Sequence, residues 1–323
     1  MAKKATGHYC GIGGQAVLEG VMMKNKDDYA VSVRKTNGDI ETKVFTYVSI
    51  ADKSKLFQLP FVRGVFNFID SLVIGLRSLN FSASFFEDET AEETKADRAM
   101  EKLFGDQVES VVNAVTMLFA FVIAMALFMV LPYYLAEFLS GYVQNESLLA
   151  LFEGILRIII FLLYIIAISA MQDIKRVYMY HGAEHKCINC IERGRELTVD
   201  NVRRSSRLHK RCGTSFLLFV VLISVVVFFF IRVDDRLLRV ALRILLVPVI
   251  AGISYELIRL AGRSDNAFVK ALSAPGMWLQ KLTTREPDDD MIEVAMKSVE
   301  AVFDWKTFLQ EEFGVTADEQ EVS

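Results

Sequence analysis

A run of residues from Ser110 to Ala136 without a charged side chain is the feature that most constrains how this chain can fold. A helix needs about 20 apolar residues to cross a bilayer, so this run can span a membrane with some tilt. Three further apolar segments follow, at 147–171, 213–231 and 237–258. The whole chain is 53% hydrophobic, which is more than soluble proteins usually are. We therefore predict an α-helical polytopic membrane protein with about four transmembrane helices.

Two charged residues interrupt the second apolar segment. Glu153 and Arg157 are four positions apart, so they share one face of a helix. We expect them to pair, because pairing reduces the cost of placing either charge inside the bilayer.

Basic side chains are concentrated between the second and third segments and predict the topology. Residues 172–212 contain ten Lys and Arg residues, whereas 140–148 contain none and 232–236 form only a short connection. Because cytoplasmic loops are enriched in Lys and Arg, we expect 172–212 and both chain termini in the cytoplasm. The four cysteines show no disulfide framework, which suits the reducing side of a cell membrane.

The N-terminal part is predicted to be a cytosolic α+β segment that contains a β-hairpin and, after it, a helix. Residues 1–58 contain a β-hairpin, because two runs of alternating β-branched residues flank Asn37 and Gly38. The glycines between residues 11 and 20 are interpreted as turns.

Residues 59–86 are predicted to form an amphipathic helix at the membrane interface. This segment is apolar, but Arg63, Asp70 and Arg77 recur every seven residues and so lie on one face of a helix. Such a pattern favours a helix lying on the membrane over a fifth span.

The remainder of the chain divides at the predicted spans. Its parts are an acidic linker (87–107), a first transmembrane hairpin (108–171), the basic cytosolic loop (172–212), a second transmembrane hairpin (213–258) and a cytosolic helical tail (259–323).

Two of the four histidines form the motif His181-x-x-Glu184-His185. On a helix, residues i and i+4 share a face and i+3 lies beside them, so both imidazoles can bind one metal ion. Neutral imidazole suits zinc, and zinc makes water acidic enough to react near neutral pH. We predict His181 and His185 as zinc ligands and Glu184 as the catalytic general base.

A catalytic zinc ion needs a third protein ligand. The sequence offers Glu256 near the end of the fourth segment, and His209 and Cys212 just before the third. The predicted topology places all three at the cytosolic membrane face, where the histidine motif also lies. Each of them is therefore a candidate ligand of the same ion.

Two other interpretations of this region stay open. Cys187-x-x-Cys190 followed by His209-x-x-Cys212 has the spacing of a structural zinc site with four protein ligands and no open position. Alternatively, the histidines and glutamates form a hydrogen-bonded polar joint between helix ends and bind no metal.

Six segments of the chain also carry a family resemblance. They are GGQAVLEGVMM (13–23), PFVRGV (60–65), YHGAEHK (180–186), HKRCGTSF (209–216), ISYELIRL (253–260) and TTREPDDDMIEVA (283–295). Together they resemble the YqhQ-like family, domain of unknown function 1385. The resemblance covers nearly the whole chain and implies a multi-span protein of the bacterial inner membrane and a predicted metal-dependent enzyme, without an established substrate.

The resemblance implies a set of motif residues as well. They map to His181, Glu184, His185, His209, Cys212 and Glu256. Position 187 is often threonine in that family, so Cys187 departs from its pattern. This departure weakens the interpretation of a four-ligand structural site.

Two functions from different classes follow from these observations. The first is a cytosol-facing zinc-dependent hydrolase whose substrate meets it at the membrane: a lipid headgroup, a membrane-bound peptide or a phosphorylated metabolite. The second is a non-catalytic scaffold or assembly factor whose 172–212 loop contacts anionic lipid or a cytosolic protein partner, without recognising a specific nucleic acid. Either function is compatible with a homo-oligomer.

Overall fold

The computed structural model describes residues 8–86, 105, 108–231, 233, 235–263 and 266–314. Of the acidic linker predicted at 87–107, residue 105 alone lies within the described residues. The chain divides into two compact units. The first unit contains Met1–Phe86, Ile165–Val220 and Ala251–Ser323, and the second contains Glu87–Tyr164 and Val221–Ile250.

Helices account for most of the described residues, as predicted. In chain order they are α1 (Val62–Ala83), α2 (Val108–Met125), α3 (Leu131–Phe138), α4 (Glu146–Ser169), α5 (Gln172–Ile191), α6 (Val199–Arg203), α7 (Gly213–Phe229), α8 (Arg236–Arg263), α9 (Ala267–Thr283), α10 (Asp289–Glu300) and α11 (Trp305–Phe313).

A four-stranded antiparallel sheet in the order β1-β2-β3-β4 forms the N-terminal part of the first unit. Its strands are β1 (Gly13–Val17), β2 (Gly20–Asn25), β3 (Asp28–Arg34) and β4 (Ile40–Thr46). The predicted hairpin is confirmed as β3 and β4, and Gly38 in its turn has a φ of 91°, which favours glycine. The sequence does not predict β1 and β2, because Gly13, Gly14 and Gly20 interrupt the alternation of side chains.

The main core of the first unit lies between the sheet, α5 and α10. Tyr180 and Ile188 of α5 and Ile292 of α10 are almost completely buried. They belong to one cluster with Val21 and Met23 of β2. Because burying a large apolar side chain contributes about 1.5–3 kcal/mol, this cluster holds α5 firmly against the sheet.

Helix α1 confirms the helix predicted before the acidic linker and shows which of its faces is buried. Asp70 is buried and accepts hydrogen bonds from Tyr47 Oη (2.8 Å) and the Ile50 backbone N–H (3.2 Å). Leu72 and Leu79, on the opposite face, are exposed. The buried side of the helix therefore combines polar Asp70 and Ser78 with apolar Ile74, while an apolar stripe on the other side is exposed.

Within the described residues, three continuous helical stretches are long and apolar enough to cross a membrane: Ser110–Phe138, Glu146–Ser169 and Leu237–Gly262. The first of them comprises most of α2, a π-helical turn (Ala126–Val130) and α3. The predicted segment 213–231 forms α7, whose 17 residues extend about 25 Å, somewhat less than a hydrocarbon core of about 30 Å. Three of the four predicted spans therefore have a helix of sufficient length.

The second unit contains the predicted ion pair and adds a third charge to it. Arg157 Nη2 lies 2.6 Å from Glu153 Oε1 on α4, which confirms the expected pairing. Arg243 of α8 donates to the other carboxylate oxygen at 2.7 Å. All three side chains are buried, so two guanidinium groups share one carboxylate inside this unit.

Candidate metal centre

The histidine motif lies on α5, as its spacing predicts. The ring centroids of His181 and His185 are 4.4 Å apart. Glu184 Oε2 lies 3.4 Å from His185 Nε2 and 3.9 Å from His181 Nε2. The carboxylate and both Nε2 atoms therefore face the same small region, in which Glu184 and His185 are buried.

Both imidazole rings are oriented by main-chain oxygens. His181 Nδ1 lies 2.9 Å from the Thr283 oxygen, and His185 Nδ1 lies 2.7 Å from the Arg207 oxygen. A carbonyl oxygen can only accept a hydrogen bond, so Nδ1 of each ring carries the proton. A neutral ring held in this way has its lone pair on Nε2, which is the usual arrangement of a metal-binding histidine.

Cys212 completes a group of three potential ligands. Its Sγ lies 3.1 Å from His181 Nε2, and the ligand atoms of His181, His185 and Cys212 are within 4.8 Å of one another. Around a tetrahedral zinc ion, with bonds of about 2.1 Å to nitrogen and 2.3 Å to sulfur, such atoms lie about 3.5 Å apart. The three side chains are close enough together that they could hold a zinc ion, with Glu184 beside them.

The electrostatics of the group favour a thiolate. Burial by itself raises the pKa of Cys212, but the neighbouring His181 and His185 outweigh it and hold that pKa well below its ordinary value. Burial by itself lowers the pKa of His185, but Cys212 and Glu184 outweigh it and raise that pKa to about 9. Without a metal ion His185 is therefore protonated at neutral pH, and binding of a metal ion to its Nε2 would release that proton. Because metal ligation requires a deprotonated sulfur, a thiol that readily loses its proton suits this role.

His209 lies behind this group and pairs with Glu192. Its ring centroid is 5.6 Å from that of His185, and its Nε2 is 3.4 Å from Glu192 Oε2. Burial raises the pKa of Glu192, but the hydrogen bond from His209 and the charge of Arg211 outweigh it and lower that pKa to about 2. Gln280 fixes the main chain of His209 by accepting from its N–H at 2.8 Å. His209 is thus held by Glu192 and Gln280 and does not join the group of His181, His185 and Cys212.

Glu256 is engaged elsewhere in the first unit. Arg63 donates to both of its carboxylate oxygens, from Nε at 2.7 Å and from Nη2 at 2.6 Å. The Phe61 backbone N–H donates to it at 3.3 Å. The structure therefore does not bring this predicted ligand to the histidine motif, because a nearby guanidinium already satisfies the carboxylate.

The two cysteines of the C-x-x-C sequence lie in the apolar core. Cys187 is completely buried, and burial raises its pKa. Burial also raises the pKa of Cys190 to about 11, and its Sγ lies 3.2 Å from the Glu196 oxygen. Among the described residues, the group of potential ligands contains Cys212 but not Cys187, Cys190 or His209. The four-ligand structural site is therefore not the arrangement that this part of the chain brings together.

Two glycines allow the chain to pass close to the candidate centre. A Cβ atom at Gly182 would lie 2.0 Å from the Arg285 oxygen, and one at Gly14 would lie 2.7 Å from Glu184 Cγ. Gly182 thus lets the segment after α9 cross α5, and Gly14 lets β1 pass beside Glu184. Of the glycines interpreted from the sequence as turns, Gly13 and Gly14 therefore lie in β1 and Gly20 in β2.

Sequence reasoning does not identify Thr283 and Arg207, although both orient a histidine. They contribute main-chain oxygens, which every residue carries and which no pattern of side chains reveals. Thr283 does begin one of the six resembling segments, and that is the signal that could have indicated its role.

Comparison with known proteins agrees with the resemblance. The family model described as "Protein of unknown function (DUF1385)" matches residues 59–305. The chain is 36% identical over 287 residues to the uncharacterized protein YqhQ of Bacillus subtilis (strain 168), covering 88% of this chain and 90% of that protein. No solved structure matches significantly. With most of its length matched in both comparisons, the chain belongs to the DUF1385 family.

Proposed function

We propose that this protein is a zinc-dependent hydrolase of the cell membrane whose centre faces the cytoplasm. The observation that carries the proposal is the pair of hydrogen bonds from Nδ1 of His181 and His185 to main-chain oxygens. They leave both Nε2 atoms beside the sulfur of Cys212 and the carboxylate of Glu184. A metal ion bound between them would take the place of the proton that His185 otherwise shares with the thiolate of Cys212.

Each residue of the centre has a separate role. His181, His185 and Cys212 would hold the ion, which supplies Lewis acidity that makes water more acidic and polarises a carbonyl or phosphoryl group. Glu184 takes a proton from the attacking water and returns it to the leaving group. The Thr283 and Arg207 oxygens keep both rings in the orientation that this arrangement needs.

The substrate approaches from the side of His181. Its side chain is 13% exposed, whereas those of Glu184 and His185 are 5% and 1% exposed. The centre lies on the helix that follows a helix able to span a membrane. We therefore expect a substrate at the membrane surface, such as a lipid headgroup, a membrane-bound peptide or a phosphorylated metabolite.

The membrane arrangement that fits this function has both termini in the cytoplasm. In this arrangement α7 is the fourth span, and the basic residues of 172–212 keep the centre on the cytoplasmic side. Helix α1 lies at the interface, with Leu72 and Leu79 in contact with lipid. Cysteine labelling of single exposed positions in whole cells and in lysed cells tests this topology.

A Glu184→Gln variant tests the hydrolase directly. The purified protein, loaded with zinc, is screened against esters, peptides and phosphoesters presented in micelles. We expect activity that Glu184→Gln lowers by about 10²–10⁴-fold while the zinc content is unchanged, because the variant loses only the proton acceptor. Glu311→Gln, at an exposed position of α11, is the matched control and should remain active. Full activity in Glu184→Gln would contradict the proposal.

A scaffold function remains the second candidate, and one observation favours it. A polar cleft of about 410 Å³ is lined by Gly194, Arg195, Glu196, Asn201 and Arg204. Its two exposed arginines suit an acidic protein partner. This candidate predicts salt-sensitive co-purification of such a partner, which the variant Arg195→Glu/Arg204→Glu should abolish. Unchanged co-purification would exclude this surface as the contact.

A further inference from the structure

A second cleft, of about 310 Å³, lies in the first unit at the end of α4. Its wall includes Ser169, the last residue of α4, and Thr284, which follows the residue that orients His181. Its charged lining residues are Arg207, Lys281, Arg285 and Glu286. Three cations and one carboxylate give this cleft an excess of positive charge.

The carboxylate in the cleft is already shared between two cations. Glu286 lies 2.8 Å from Lys186 Nζ and 3.3 Å from Arg207 Nε. In the part of the chain that the structure describes, no carboxylate forms an ion pair with Lys281 or Arg285. These two side chains therefore present unneutralised charge to a ligand that enters the cleft, and an anion is the ligand that they favour.

The position of the cleft along α4 indicates the source of that anion. Helix α4 is one of the three helices able to cross a membrane, and the oxygen of its last residue, Ser169, accepts a hydrogen bond from Arg285 Nη2 at 3.3 Å. The end of a membrane-spanning helix lies at the level of the lipid headgroups. Basic side chains at this level attract anionic lipids, and guanidinium matches the geometry of a phosphate group.

We propose that this cleft binds the phosphate-bearing headgroup of an anionic membrane lipid, with Lys281 and Arg285 as its principal contacts. The site does not depend on the metal centre, because none of the three candidate ligands lines it. It does share Arg207 with that centre, and Thr284 adjoins Thr283. A bound headgroup therefore lies beside both segments that orient the imidazole rings.

Native mass spectrometry of the full chain in a neutral detergent, with dioctanoyl phosphatidylglycerol as the probe, tests this site. The test variant is Lys281→Ala/Arg285→Ala. Lys281→Ala alone removes one exposed side chain and leaves the main chain undisturbed. The matched control, Lys270→Ala/Lys306→Ala, removes two exposed cations that do not line the cleft. Dioctanoyl phosphatidylcholine serves as the zwitterionic probe, and inorganic phosphate as the soluble competitor.

The expected result is one tightly bound phosphatidylglycerol per chain, with an affinity that the double variant lowers by about 10- to 30-fold. Lys281→Ala alone should lower it several-fold, and the control should match the wild type. Equal affinity in the double variant, or equal affinity for phosphatidylcholine, would overturn the proposal. Displacement of the lipid by millimolar phosphate would assign the cleft to a soluble anion and overturn the lipid assignment. Zinc content, measured on the same samples, reports on the metal centre separately.

Discussion

The sulfur of Cys212 lies 3.1 Å from Nε2 of His181, although 31 positions separate the two residues in the chain. This contact joins the residue before α7 to the middle of α5. Because Nδ1 of His181 already donates to Thr283, Nε2 is the atom that meets the sulfur. The contact turns a helical motif with two imidazoles into a group of three ligands, which is the number that a catalytic zinc ion takes from the protein.

A Gly182→Ala substitution should disturb this group without touching a ligand. The new methyl group would lie 2.0 Å from the Arg285 oxygen, so the segment that begins at Thr283 must move away from α5. We expect a loss of about 1–3 kcal/mol in the free energy of unfolding, and weaker zinc binding because His181 loses its acceptor. Thermal unfolding and competition with a chromophoric chelator measure the two effects.

The matched control for that substitution is Gly141→Ala. A Cβ atom at Gly141 has no neighbour within 4 Å, so this variant should behave as the wild type. If Gly182→Ala binds zinc as tightly as Gly141→Ala does, the Thr283 oxygen does not orient His181 for metal binding.

A Glu256→Gln substitution should destabilise the protein and leave its metal content unchanged. The carboxylate accepts two hydrogen bonds from Arg63, and hydrogen bonds to charged groups contribute about 1.5–3 kcal/mol. The same variant made in an Arg63→Gln background should add little further loss, since the pair is already broken. If the wild type contains about one zinc ion per chain and Glu256→Gln contains none, Glu256 is a ligand after all.

Glu192 should make stability depend on pH in the acid range. Its pKa in the folded protein, about 2, is below the ordinary value of 4.5. Its ionisation therefore stabilises the folded state fully above about pH 4.5, and this contribution is lost as the pH falls towards 2. The shift corresponds to about 3 kcal/mol at neutral pH.

Denaturant unfolding of wild type and Glu192→Gln at a series of pH values measures this contribution. The difference in unfolding free energy should be largest near pH 7 and should shrink between about pH 4.5 and pH 2. Glu311→Gln, which alters an exposed carboxylate, should show no such trend. A constant difference at all pH values would mean that Glu192 acts through packing and not through its charge.

Glu153→Gln should be among the most destabilising single changes in the second unit. It leaves the buried guanidinium groups of Arg157 and Arg243 without their shared carboxylate, and removing one partner of a buried pair costs roughly 3–5 kcal/mol. Replacing all three residues by leucine should cost less than Glu153→Gln alone, because no buried charge then remains. A lower thermal midpoint for the triple leucine variant than for Glu153→Gln would show that the charges themselves stabilise the unit.

Local patterns were sufficient to predict several parts of this structure. The four-residue spacing of His181 and His185 and the Asn37-Gly38 turn each depend on residues that are close in sequence. The choice of the third ligand cannot be predicted from neighbouring residues, because Cys212 reaches His181 through the irregular segment that follows α6. Glu256 illustrates the same limit: its partner Arg63 is 193 positions away, and the seven-residue repeat that contains Arg63 gives no sign of that pairing.

The most direct test of the account is the zinc content of the detergent-purified protein, measured by mass spectrometry beside three variants. About one zinc ion per chain should be present in the wild type and in Cys190→Ala, whose thiol lies in the apolar core. His185→Ala and Cys212→Ala should lose it, since each removes one of the three ligands. Loss of zinc from Cys190→Ala with retention in His185→Ala, or no zinc in the wild type after zinc-supplemented growth, would contradict the metal centre described above.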